Sequence, residues 1–352
     1  LALIHGGDIE GYILERGSEP LDFSANCNPL GIPESVPAAV ADAALRADRY
    51  PDPLCRRLRS ALSQKIGVPE NAILCGNGAA DLIFRLALAV KPKRALVTAP
   101  TFAEYELALE TVGCGVLRLR LAPEDGFQVP EDILDWIVPG LDLLFICNPN
   151  NPTGLTADPA LLRRILSACE ISGTLLVVDE CFNGFLDDPA QHTLRDRLAV
   201  SDRLLILDAF TKLYGMAGVR LGYCMTGNEA LMTALKNAGQ PWAVSSLAQA
   251  AGLAALGEDS YVEKARALIR AERSYLVPEL RRLGMTGLSG EANYIFFRSD
   301  IPQLATELRK AGILIRDCGN YAGLEGGYYR IAVRPHEENV KLIEALSGIR
   351  GG

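Results

Sequence analysis

The chain has 352 residues, 49% of them apolar, and a formal net charge of −8; that length outruns one small core and predicts two domains. Charges of both signs are interspersed, which argues against nucleic acid or an anionic membrane as partner, since either needs a clustered basic face. There is no apolar run of about eighteen residues, and the start LALIHGGDIEG lacks the basic flank and cleavage pattern of a signal peptide, so a soluble, cytoplasmic protein is expected.

In chain order, the first thirty residues are rich in Gly, Asn and Pro and read as an arm packed on the rest. From about residue 73 to 238, short apolar runs alternate with helical patterns. RALVTAP (94–100), DLLFICN (142–148), TLLVVDE (174–180), RLLILDAF (203–210) and RLGYCMT (220–226) read as buried strands, while AADLIFRLALAVK and PALLRRILSACEIS have helical spacing. This pattern predicts an α/β fold with a large, mostly parallel, doubly wound sheet covered on both faces. After about residue 240 the pattern becomes α+β: a long helical stretch (261–284), then YIFFRS, ILIRDC and YYRIAVR. The expected division is an arm over 1–30, a large domain over 31–240 and a smaller C-terminal domain over 241–352. The nine cysteines form no CxxC pair and read as reduced thiols. His5, His192 and His336 are far apart in sequence, so no metal site is expected.

Sites in open α/β sheets form outside the carboxyl ends of the strands, where the polar residues of this chain recur. Gly76 and Gly78 lead into a helix, which turns the amides near Ala79 and Ala80 outward at a positive helix end suited to phosphate. CNPNNPTG (147–154) reads as a tight turn of the kind that accommodates a cis-proline. Asp179 ends an otherwise apolar strand; buried, it must either cap a turn or meet a cation. Lys212 stands just after another such strand, with Arg220 eight residues on. A lone loop lysine is ordinarily solvated. At the mouth of a buried strand it can instead be desolvated, which lowers its pKa and frees the amine to attack a carbonyl carbon.

The ordered set GNG, PTF, NPNNPTG, VVDE, TK and Arg220 resembles the fold-type I enzymes that use pyridoxal 5′-phosphate, in the class I and II aminotransferase family, over nearly the whole chain. The resemblance implies that Lys212 carries the cofactor, that Asp179 meets its pyridine nitrogen and that Asn151 meets its ring hydroxyl. Phe102 would stack on the ring, with Tyr105 as a substitute. Thr211, Arg220 and the amides of Gly78 and Ala79 would hold the cofactor phosphate, and Tyr50 would reach it from the other subunit of a homodimer. One departure is visible: relatives have Ser or Thr three residues before the lysine, where this chain has Ala209, preceded by Asp208.

Two subgroups compete. Histidinol-phosphate aminotransferases share most of these motifs but have a tyrosine three residues after the acid, where this chain has Phe182. His5, Gly6 and Gly7, the run 22–31, the segment around Trp242, and 315–334 resemble the threonine-phosphate decarboxylases of cobalamin biosynthesis, which is the preferred reading. A small phosphorylated amino acid would then be the substrate. Its two anionic groups call for guanidinium forks. Arg330 resembles the family's carboxylate-binding arginine; Arg316 and Arg334, with His5 and Asn26, would take the phosphate, although the two assignments can exchange. A third reading, a ligand-sensing module without catalysis, is disfavoured because the lysine, acid and arginine set is complete.

Overall fold

The computed structural model describes residues 5–351. Its strands are β1 (Leu21–Asp22), β2 (Ile73–Gly76), β3 (Arg94–Ala99), β4 (Gly115–Arg120), β5 (Leu143–Cys147), β6 (Leu175–Asp179), β7 (Leu204–Ala209), β8 (Gly222–Met225), β9 (Thr286–Ser289), β10 (Tyr294–Arg298), β11 (Ile313–Leu314), β12 (Arg316–Asp317) and β13 (Tyr328–Ala332). Seven of them form the large sheet in the order β2-β8-β7-β6-β5-β3-β4. All its pairings are parallel except those of β8, which runs antiparallel to β7 and β2.

Alternation along the central strands builds two cores. Leu144 and Ile146 of β5, Leu176 and Val178 of β6 and Leu204 and Ile206 of β7 enter one core, with Leu161 and Ile165 of the helix Pro159–Ser172. The intervening Phe145, Val177 and Leu207 enter the other, under Leu82, Ile83 and Leu86 of the helix Gly78–Val90. Both faces are buried, so these strands read as continuous apolar runs. Each fully buried side chain of this kind is worth roughly 1.5–3 kcal/mol relative to exposure. Strand β4 was harder to read because it is an edge, with Gly115, Arg118 and Arg120 exposed.

The second sheet, β12-β13-β10-β9, is antiparallel. It shares its core with the helices Asp259–Arg282 and His336–Gly351, through Ile269, Leu276, Leu342 and Leu346. The arm belongs with this unit: β1 pairs in parallel with β11, and the fully buried Phe23 lies in the same core. On packing, we place the start of the smaller unit later than residue 240, because Ala248, Ala251 and Ala255 of the helix Ser246–Ala255, and Tyr261 beyond it, lie in the core of the large sheet. No helix among the described residues is long and apolar enough to cross a membrane.

Candidate active site

Strands β5, β6 and β7 end side by side, and their carboxyl ends open onto a cavity of about 260 Å³. Its lining joins Cys147, Asn151, Asp179, Ala209, Thr211 and Lys212 from the large unit to Arg316, Tyr321 and Arg330 from the small one. His5, Gly6, Ser24 and Asn26 of the arm complete it.

Lys212 sits in the single turn Phe210–Leu213 at the end of β7. That turn is pinned to the arm by two bonds: Asn28 N–H donates to the Lys212 carbonyl (3.1 Å) and Asn28 Nδ2 to that of Leu213 (2.7 Å). Burial lowers the pKa of the amine, and the positive charges of Arg330 and Arg220 act in the same sense against the opposing influence of Cys27 and Cys181. Nζ lies 5.8 Å from the centre of the Phe182 ring. The ring face attracts the charged form of the amine, so the lowering comes from burial and the neighbouring guanidinium groups and not from Phe182.

Asp179 takes the first of the two roles left open by the sequence, the cap of a turn. One carboxylate oxygen caps the following turn by accepting from Cys181 N–H (3.0 Å), and the other accepts from the Tyr105 hydroxyl (2.7 Å). It still lines the cavity, although only 5% exposed. Tyr105 is wholly buried and stacked on Phe145 at 4.6 Å, so the structure removes it as a substitute for Phe102. Phe102 lines the cavity.

Asn151 stands in a turn with cis bonds at Asn148–Pro149 and Asn151–Pro152. Its Oδ1 accepts from Arg330 Nη1 and from the Tyr321 hydroxyl, which leaves Nδ2 as its unused donor. Arg330 also donates Nη2 to the Ser24 carbonyl (2.8 Å), while its buried Nε has no partner. Arg316 donates to Asn320 Oδ1 (2.8 Å) and lies 5.2 Å over the Tyr321 ring. Asn26 is 1% exposed, and neither end of its amide has a partner. An orphaned amide beside two guanidinium groups is the mark of a polar ligand site.

At the other end, helix Gly78–Val90 opens toward the cavity with no side-chain cap, so its first amides are free for an anion. Gly78 has φ +79°, and a Cβ there would stand 2.7 Å from Arg220 Nη2. The left-handed backbone favours glycine here, and its missing side chain leaves room for the guanidinium beside the helix end. Gly222 repeats the device, since its Cβ would meet the Ala79 nitrogen at 2.6 Å. These features fit pyridoxal 5′-phosphate: a bare helix end and Arg220 for its phosphate, a carboxylate for the ring nitrogen, and an amine for the aldehyde.

Three residues named from the sequence, Arg334, Tyr50 and Gly78, do not line the cavity, although Gly78 packs against Arg220, which does. Arg334 is turned to Glu338, with Nε donating at 2.8 Å, and it does not line the cavity, which corrects its expected place there. Tyr50 is 81% exposed and stacked on Trp242 at 4.7 Å, so it does not reach the site of its own chain. Sequence reasoning missed Ser24, Glu104, Cys147 and Tyr321 as parts of the lining. The only signals were an acid two residues after PTF and a tyrosine in a glycine-rich loop.

Behind the lysine turn lies a buried ionic cluster. Arg195 bridges Asp208 (2.9 Å) and Glu180 (3.2 Å), and the Tyr223 hydroxyl donates to Asp208 (2.7 Å). Two carboxylates share one guanidinium, and burial pushes Glu180 up to about 7 from 4.5. The unfolded chain therefore ionises this acid first. Its stabilising contribution is full below pH 4.5 and is lost as pH rises through about 7. Glu180→Gln is expected to flatten the fall of the thermal midpoint between roughly pH 5 and 7.5; an unchanged slope would remove Glu180 as its source.

Comparison with known proteins places this geometry. The family model for aminotransferase class I and II matches residues 18–346. The chain is 37% identical to the threonine-phosphate decarboxylase of Salmonella typhimurium, over 99% of this chain and 97% of that one. It is also 36% identical to the histidinol-phosphate aminotransferase of Symbiobacterium thermophilum, over 99% of this chain and 96% of that one. The crystal structure of the histidinol-phosphate aminotransferase from Clostridium acetobutylicum superposes with a TM-score of 0.88 at 29% identity, covering 94% of this chain and 99% of that one. The fold is the fold-type I arrangement, with a large mostly parallel sheet and a small antiparallel one.

Proposed function

We propose, for a chain that belongs to the aminotransferase class I and II family, that it decarboxylates L-threonine O-3-phosphate to (R)-1-aminopropan-2-yl phosphate and CO2 in cobalamin biosynthesis, as a homodimer with pyridoxal 5′-phosphate. The observation that carries this reading is the lining of the cavity. It pairs two buried guanidinium groups, Arg316 and Arg330, with the arm residues His5 and Asn26, a set suited to a small ligand with two anionic groups. The 37% identity to a threonine-phosphate decarboxylase supports the same choice.

When bound, the cofactor supplies an electron sink for the pair left on Cα. The residues of the chain do the rest. Lys212 provides the amine that holds the cofactor and, once free, the ammonium that returns a proton to Cα as CO2 departs. Asp179, fixed by Tyr105 and the Cys181 amide, keeps the ring nitrogen protonated. Arg330, anchored by Asn151 and Ser24, binds one anionic group of the substrate through its unpartnered Nε edge, and Arg316 the other. Together they decide which bond to Cα stands perpendicular to the ring. By this reading Tyr50 reaches the cofactor phosphate of the other subunit, which its exposure leaves it free to do.

A second reading, transamination of the histidinol-phosphate type, is kept because of the 36% identity to such an enzyme. Phe182 weighs against it, since the cavity has a phenyl ring where that subgroup has a hydroxyl. Incubation with O-phospho-L-threonine, assayed for CO2, is run beside histidinol phosphate plus 2-oxoglutarate, assayed for glutamate. Glutamate without CO2 overturns the proposal.

Ala209 lines the cavity and is 5% exposed, where family members offer a hydroxyl. Ala209→Ser is expected to tighten cofactor binding several-fold, on the order of one hydrogen bond of about 0.5–1.5 kcal/mol. Titration of the apoenzyme by absorbance checks it, and an unchanged or weaker affinity counts against a missing donor.

A further inference from the structure

Glu104 is one of two acids among the described residues that line the cavity, the other being Asp179. Its Oε1 meets His5 Nε2 at 2.5 Å, and its Oε2 is buried without a partner. The arm that carries His5 is tied down close by. Gly7 N–H donates to Ser24 Oγ (2.7 Å), and the Ser24 carbonyl accepts from Arg330 (2.8 Å). Gly6 has no room for a side chain, because a Cβ would stand 2.4 Å from the Ser24 carbonyl oxygen. Strand β1 fixes the arm to the small unit, whereas Glu104 opens the helix Glu104–Glu110 on the large one. The His5–Glu104 contact is therefore a tie across the cleft, beside Phe102, whose ring centre lies 6.0 Å from that of His5.

We propose that Glu104 is a positioning residue: it holds His5 over the cavity so that the imidazole joins Arg316 in clamping the phosphate of a phosphorylated amino acid. This rests on the reading above that the substrate carries phosphate. Electrostatic sign separates the proposal from a simpler one. A carboxylate near Arg316 and Arg330 repels an anionic substrate, so its removal alone would tighten binding. With Glu104 as an anchor, its removal loosens binding, because the His5 side chain, 42% exposed, must then be ordered when substrate arrives.

The test uses the holoenzyme. Glu104→Ala, which removes the acceptor for His5 Nε2, is expected to raise KM for O-phospho-L-threonine about tenfold with kcat within about twofold, the pattern of lost ground-state binding. Competitive inhibition by inorganic phosphate should weaken in parallel. His5→Ala should raise KM similarly, and the double variant should be no worse than His5→Ala alone. Unchanged or tighter binding in Glu104→Ala, or additive losses in the double variant, overturns the proposal. If the wild-type enzyme releases neither CO2 nor glutamate from a phosphorylated substrate, the proposed function fails. Calorimetric binding of O-phospho-L-threonine to the same variants then still decides the role of Glu104.

Discussion

Lys212→Ala is expected to abolish the visible absorbance of the purified holoprotein and to slow CO2 release from O-phospho-L-threonine by at least roughly a hundred- to ten-thousand-fold, the range of one positioned proton donor. The loss of covalent attachment adds to that figure. The size of the effect follows from the setting of the amine: burial and two neighbouring guanidinium groups keep it ready to lose its proton. Lys212→Arg keeps the positive charge but cannot form the bond, so it should be as inactive as the alanine variant. An arginine variant with appreciable CO2 release would mean that charge, and not covalent chemistry, is the contribution of this position. A protein that stays colourless with added cofactor would remove the enzymatic reading itself.

Asp179→Asn is expected to lower kcat by roughly ten- to a hundredfold, with the fold intact. A charge-assisted contact is worth about 1.5–3 kcal/mol, and each 1.4 kcal/mol is about a factor of ten. The amide can still accept from the Tyr105 hydroxyl or the Cys181 amide, so the turn after β6 should survive. What disappears is the negative charge that, in the proposed function, keeps the pyridine nitrogen protonated. Steady-state kinetics together with a thermal melt separate the two effects. A melt lowered as severely as the rate would mark Asp179 as a structural cap that only happens to line the cavity.

Much of the molecule could be read from the residues in order. Strands β3, β5, β6 and β7 announced themselves because both faces are buried, and their polar ends marked the site. The edge β4 did not, because exposure lets arginines interrupt the pattern. The sequence divides the chain near residue 240, where the pattern changes, but that change does not show that the small-residue helix Ser246–Ala255 packs back on the large sheet. Arg316, Arg330 and Arg334 are equivalent as letters. Only the packed structure turns the last toward Glu338 and the other two into the cavity.

The sequence by itself determined the class of chemistry, because desolvating a lysine, capping a strand with an acid and opening a helix with glycines are local acts that leave fixed spacings. The tertiary structure alone decided which distant groups meet: Tyr105 with Asp179, Asn151 with Arg330, Ser24 with Arg330, and His5 with Glu104. Those contacts join segments up to 306 residues apart. Their formation depends on the packing of two cores and an arm, which no local periodicity encodes.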